Sequence, residues 1–102
     1  MLIISRTAKA EIKEIALHIA ETDLKAATRI IKELSDKFDL LEANPLLGRA
    51  RHDLLINLRS FPHKKYLIFY FPIQGGVEIF RVVHSSRDIE QLFTEYFEGL
   101  NE

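Results

Sequence analysis

The feature that most constrains this chain is Tyr66 to Phe71, six consecutive aromatic and aliphatic residues followed by Pro72. An unbroken apolar run of that length, bounded by a turn signal, has the composition of a central strand of a sheet. The neighbouring residues supply partners. Leu54 to Phe61 reads as a strand closed by Pro62, and Gln74-Gly75-Gly76 is a hairpin signal leading into a strand from Val77 to His84. Three consecutive strands with short connections predict an antiparallel meander.

The residues before the sheet follow a different period. Leu2-Ile3-Ile4 is a short β-branched strand that hands over to a helix at Ser5 and Thr7, both good caps. Ala8, Ile12, Ile15 and Ile19 form one stripe of a 3.6-residue repeat. After Thr22 and Asp23, a second stripe of Ala27, Ile30, Ile31, Leu34, Phe38 and Leu41 runs until Asn44-Pro45 stops it. Two amphipathic helices joined by so short a turn form an antiparallel hairpin, and their shared apolar side needs a sheet to cover it. Ile89, Leu92, Phe93, Tyr96, Phe97 and Leu100 recur at helical spacing and predict a short C-terminal helix with a glutamate face. The expected class is α+β, in the order β-α-α-β-β-β plus a terminal helix: two layers, with the two-helix hairpin packed on an antiparallel sheet that the first strand joins at its edge. At 102 residues the chain is expected to be a single domain spanning 1–102.

Charge and composition narrow the chemistry. The net charge of −1 hides a strong division. Residues 45–88 carry seven basic and three acidic residues, whereas residues 89–102 carry four glutamates and no base. A cationic middle beside an acidic tail suggests a site for an anionic partner, or a tail that shields it. Cysteine is absent, which excludes disulfides, thiolate catalysis and cysteine-ligated metals and fits a reducing cytoplasm. No apolar stretch approaches the roughly 20 residues of a membrane helix. There is no phosphate-binding glycine loop and no metal-ligand spacing, and His18, His52, His63 and His84 are scattered, so neither cofactor nor metal is expected. His84 beside Ser85 and Ser86 makes a poor nucleophile and base, since sequence neighbours at a strand end point to opposite faces.

The remaining constellation is basic and aromatic. Strict alternation from Val77 to His84 puts Ile79, Arg81 and Val83 on one sheet face and Phe80, Val82 and His84 on the other, so that Arg81 or His84 is presented on the open side. Arg49 and Arg51, beside Gly48, and Arg59 could line the same surface, although an internal ion pair with Glu78 or Asp88 is an equal fate for Arg81, and Arg87-Asp88 could serve only as cap and partner for the final helix.

Four stretches carry a resemblance: Asn44-Pro45-Leu46-Leu47-Gly48-Arg49, Leu58-Arg59-Ser60-Phe61-Pro62, Tyr66-Leu67-Ile68-Phe69-Tyr70, and Arg81-Val82-Val83-His84-Ser85-Ser86-Arg87-Asp88-Ile89. With Ser5, Ala8, Glu11, Ile12 and Ile15 they make the chain similar, over almost its whole length, to the ParE branch of the RelE/ParE toxin superfamily; Glu11 stands where an aspartate is frequent and His18 where an aromatic residue is frequent. The resemblance implies the toxin of a type II toxin–antitoxin system, forming a hetero-oligomer with a ParD-like antitoxin and poisoning DNA gyrase by protein contact. The RelE branch instead cuts messenger RNA on the ribosome. Cleavage at a 2′-hydroxyl needs a base, an acid and cations around the phosphate, for which Arg81, His84 and Arg87 are the candidates here. A net charge of −1 and a pI near 6.4 suit docking onto ribosomal RNA poorly, and no sequence-specific contact to nucleic acid is expected. The favoured reading is a binding toxin without bond-making chemistry, with Arg49, Arg59, Arg81, Arg87, Phe93, Tyr96 and Phe97 as contact residues.

Overall fold

The apolar run lies in the middle of a five-stranded sheet. The computed structural model describes residues 1–100, in the order β1 (Leu2–Ile4), α1 (Arg6–Ala20), α2 (Leu24–Ala43), β2 (Arg49–Ala50), β3 (Arg59–His63), β4 (Tyr66–Ile73), β5 (Gly76–His84) and α3 (Ile89–Leu100). The strands lie side by side as β1-β5-β4-β3-β2. This is the expected α+β class. The meander of β3, β4 and β5 is antiparallel, but β1 runs parallel to β5, with Leu2 opposite Val77 and Ile4 opposite Ile79, so the sheet is mixed. Among the described residues no helix is long and apolar enough to cross a membrane.

Local chemistry fixes the helix ends. Ser5 caps α1: its Oγ accepts from the Ala8 N–H at 3.0 Å and donates to the Phe80 carbonyl at 2.8 Å, which ties the cap to β5. Asp23 caps α2 through the Ala26 N–H at 3.0 Å, and the Asn44 side chain closes its other end on the Leu40 carbonyl. The predicted stripes face inward except at Ile31, which is turned out to water: Ala8, Ile30, Leu34, Phe38 and Leu41 pack on Ile68, Tyr70, Val77, Ile79 and Val82.

Three features differ from the sequence reading. First, neither proline closes its strand. Pro62 lies inside β3 opposite Leu67, and Pro72 inside β4 opposite Val77. Each sits where its strand has a neighbour on one side only, so the missing N–H costs no ladder bond on the open side. Second, residues 51–57 form turns, and the strand expected from Leu54 begins at Arg59.

Third, the far face of the sheet is covered rather than open. Leu54, Leu58, Phe69, Val83, Leu92 and Phe93 form a second core there, flanked by Leu55, Leu67, Phe71, Phe80 and Ile89. The cause lies in the run that opened the sequence reading: Ile68 and Tyr70 feed one core and Phe69 the other, so both faces of β4 must leave water. A β-bulge completes the division. Phe69 lies opposite Arg81 and Tyr70 opposite Ile79, which leaves Phe80 as the extra residue and breaks the expected alternation. Ile79 and Val82 therefore share the helix-side core, while Phe80 and Val83 join the other.

The edge pairing of β1 depends on Gly76. A Cβ there would stand 1.8 Å from the Met1 carbonyl oxygen, the atom that accepts from the Val77 N–H at 3.1 Å. Gly76→Ala is expected to push β1 off β5 and lower unfolding free energy by about 1–3 kcal/mol. Urea denaturation checks it, and an unchanged midpoint would contradict this packing.

Candidate functional site

Four pieces of the molecule bear on function, beginning with the turn after α2. Tyr70 is fully buried; its hydroxyl donates to the Pro45 carbonyl at 2.7 Å and accepts from the Gly48 N–H at 2.8 Å. Gly48 has no room for a side chain, since a Cβ would meet Tyr70 and the Ser60 carbonyl below 3 Å. Arg59, opposite Tyr70 on β3, donates to the Leu46 and Gly48 carbonyls at 3.2 and 2.7 Å. The Asn44-to-Arg49 stretch is thus a turn clamped from beneath, which leaves Leu46 and Leu47 exposed and places Arg49 on the outermost strand.

At the bulge, Arg81 forms a bidentate pair with Glu11 of α1, at 3.0 and 2.7 Å, and the same carboxylate accepts from the Val82 N–H at 3.1 Å. Both side chains are largely buried, at 16% and 13% exposed. Arg81 has the internal partner that was an alternative for it, but that partner is Glu11 rather than Glu78 or Asp88. Arg59 and Arg81 both turn toward the helix side of the sheet.

The third piece is the opposite face. Phe69, Phe80 and Phe71 continue through Phe93 and Tyr96 to Phe97 as a series of mostly edge-to-face contacts with centroids 5.3–6.2 Å apart. Phe93 is buried, Tyr96 half-buried, and Phe97 46% exposed. Between α3 and the 52–56 turns opens a cleft of about 480 Å³, lined by His52, Leu54, Leu55, Ile56, Phe71, Tyr96 and Phe97. Ile56 stands 79% exposed at its lip. Reading residues 54–61 as a strand concealed this wall, because a strand would have sent Leu55 and Ile56 to opposite faces.

The end of β5 is the last piece. His84 packs edge-on against Tyr66, and its Nδ1 accepts from the Ser86 N–H at 3.1 Å and lies 2.7 Å from the Ser86 Oγ. Those contacts occupy Nδ1 as an acceptor and leave the proton of the neutral ring on Nε2. Arg87 is exposed in the following turn, and Asp88 caps α3 through the Gln91 N–H. The proposed contact residues thus fall into separate groups: Phe93, Tyr96 and Phe97 together on the α3 face, Arg59 under the clamped turn with Arg49 nearby in chain and sheet, Arg81 locked on α1, and Arg87 beyond the end of β5. The structure does not bring the arginines into one cluster. No group of three or more His, Cys, Asp or Glu residues able to hold a metal ion occurs among the described residues.

Comparison with known proteins adds the lineage. The model of a family described as the ParE toxin of the type II toxin–antitoxin system parDE matches residues 2–89, ending where α3 begins. A chain of the solved chromosomal ParDE toxin–antitoxin system from P. aeruginosa superposes with a TM-score of 0.68 at 17% identity, over 81% of this chain and 92% of that one, a likeness that speaks for the fold. No protein of curated function matches the sequence.

Tyr70 offers a direct test of the clamp. Burial, the larger effect, pushes its phenol above the ordinary value of 10.0, against the opposing hydrogen bond from Gly48 and the charge of Arg59. A raised folded value means that the contribution to stability is intact below the unfolded value and is lost as pH rises through the folded one. Tyr70→Phe is expected to cost about 1–3 kcal/mol at neutral pH, because Pro45 and Gly48 lose their partner. The gap to wild type should narrow above pH 10.0. Denaturation curves across that range check it; parallel pH profiles would remove the clamp's role.

Proposed function

Because the chain belongs to the ParE toxin family of type II toxin–antitoxin systems, we propose that it acts in the cytoplasm as a binding toxin, using the α3 face to engage DNA gyrase, and that a ParD-like antitoxin masks the chain in a hetero-oligomer. The observation that carries this reading is the aromatic cleft. Its lining is mostly apolar, with polar side-chain groups only at His52 and the Tyr96 hydroxyl among the described residues, and Ile56 and Phe97 stand at its edge ready to lose water on contact. Aromatic anchors beside a preformed hollow are where protein–protein binding energy concentrates.

The ribonuclease alternative draws less support from the same atoms. Arg81 would have to leave Glu11 to meet a phosphate, exposing a carboxylate that two hydrogen bonds from its guanidinium now satisfy. His84 has one ring nitrogen engaged by its own turn, and the cations of the middle segment are dispersed. RNA cleavage needs a base and several positive groups converging on one phosphate.

The test is a gyrase supercoiling assay with purified variants. Wild type and His84→Ala are expected to inhibit alike. Ile56→Ser and Phe97→Ser, both at exposed positions, are expected to weaken inhibition about tenfold or more without moving the thermal midpoint. Absence of inhibition, together with ribosome-dependent RNA cutting that His84→Ala abolishes, would replace this reading by the ribonuclease.

A further inference from the structure

A second hollow lies on the helix side, far from α3 in the layering of the fold. Its volume is about 270 Å³; Ile19 at the end of α1, Ile30 on α2 and Tyr66 at the start of β4 form its apolar part, and Arg29, Lys64 and Lys65 line it as well. Of the resembling stretches only Tyr66 touches it, and none of the contacts proposed above accounts for it.

The charge balance there is one-sided. The nearest acid in the cluster, Glu33, is already taken, with its two oxygens 3.0 Å from His63 Nε2 and 2.6 Å from Lys64 Nζ. Those two neighbours hold its carboxyl below the usual range, Lys64 contributing most. Asp23 is turned into the α2 cap, and Glu21 lies 3.9 Å from the His18 ring on its own helix end. Arg29 and Lys65 form no ion pair among the described residues. Two cations without an acid, beside an apolar hollow, match a segment that carries carboxylates around an aliphatic side chain.

Lys64 sits at φ 53° in the tight turn between β3 and β4, a conformation such hairpins require, and its ammonium is held by Glu33.

We propose that this hollow is an anchoring point for the neutralising protein partner, taking an aliphatic side chain of an acidic segment while Arg29 and Lys65 pair with the flanking carboxylates. It rests on the reading that a protein partner sequesters the toxin. An acidic protein is favoured over nucleic acid because a phosphate backbone offers nothing to fill an apolar well, and because the chain as a whole carries no positive excess.

The experiment is an NMR titration of the isotope-labelled full chain with the peptide acetyl-Glu-Leu-Glu-Glu-Leu-Glu-amide, its Lys-for-Glu counterpart, and a single-stranded hexanucleotide. The acidic peptide should shift the amides of Arg29, Ile30 and Tyr66 saturably, and the basic peptide should not. Charge reversal by Arg29→Glu with Lys65→Glu should weaken binding at least tenfold, the neutral pair Arg29→Gln with Lys65→Gln should weaken it less, and Phe97→Ser should leave it unchanged. Absence of shifts at these residues, equal binding by the charge-reversed chain, or tighter binding of the hexanucleotide at the same amides would overturn the proposal. Gyrase inhibition by the charge-reversed chain is read separately and should equal that of wild type, so a failure of the toxin reading is distinguishable from a failure of the anchoring point.

Discussion

One carboxylate holds the molecule in register. Glu11 reaches from the first helix into the bulge of β5 and accepts three hydrogen bonds, two from Arg81 and one from the Val82 N–H. β1 pairs with β5 only as far as Ile79, so past the bulge the Val82 N–H meets no strand on that side and takes a charge-assisted acceptor instead. The contact ties the α1–α2 layer to the central pair of strands at the point where the side-chain phase of β5 changes. Without the extra residue at Phe80, Val82 would leave the helix-side core and the aromatic series behind β4 would lose its middle member.

That division decides where the charges and the apolar surface of the chain lie. The guanidinium groups of Arg59 and Arg81 are spent on carbonyls and a carboxylate inside the fold, where they fix the 45–48 turn and the first helix. Exposed apolar side chains stand at the cleft beside α3, Ile56 and Phe97 among them, and also on the clamped turn at Leu46 and Leu47 and at the helix hairpin at Leu17 and Leu24. Charged groups already desolvated and paired internally have little to offer a ligand, whereas exposed aromatic edges beside a hollow gain directly from burial. Membership of the ParE toxin family is the context in which this surface is read as a contact site under the proposal above.

Much of this was legible in the sequence for physical reasons. The helices announce themselves by the Ala8–Ile19 and Ala27–Leu41 stripes and by Ser5 and Asp23, because capping and amphipathic burial act locally. The run from Tyr66 identified the central strand, and Gly75, at φ 80°, marks the hairpin that follows it. What escaped depends on distant partners. No residue near Phe80 signals a bulge, since its acceptor, Glu11, lies seventy positions away. Pro62 and Pro72 read as terminators because sequence alone does not reveal which flank of a strand is unpaired. The covering of the second face is implicit in Tyr66–Phe71, whose alternate members are all apolar, yet the spacing of the C-terminal helix does not reveal that Leu92 and Phe93 are its cover. The cleft residues Leu55 and Ile56 were hidden by reading a strand through a turn.

Arg81 is engaged inside the fold by Glu11, and its removal separates the alternatives most directly. Urea unfolding and growth arrest would be measured together for Arg81→Met and for Arg81→Met with Glu11→Leu. The predicted result is that Arg81→Met loses about 2–3 kcal/mol of stability by leaving Glu11 without its cation, while the paired change recovers much of it and still arrests growth. An Arg81→Met chain that is as stable as wild type yet harmless to cells would contradict it, because the guanidinium would then be serving a ligand and not the fold.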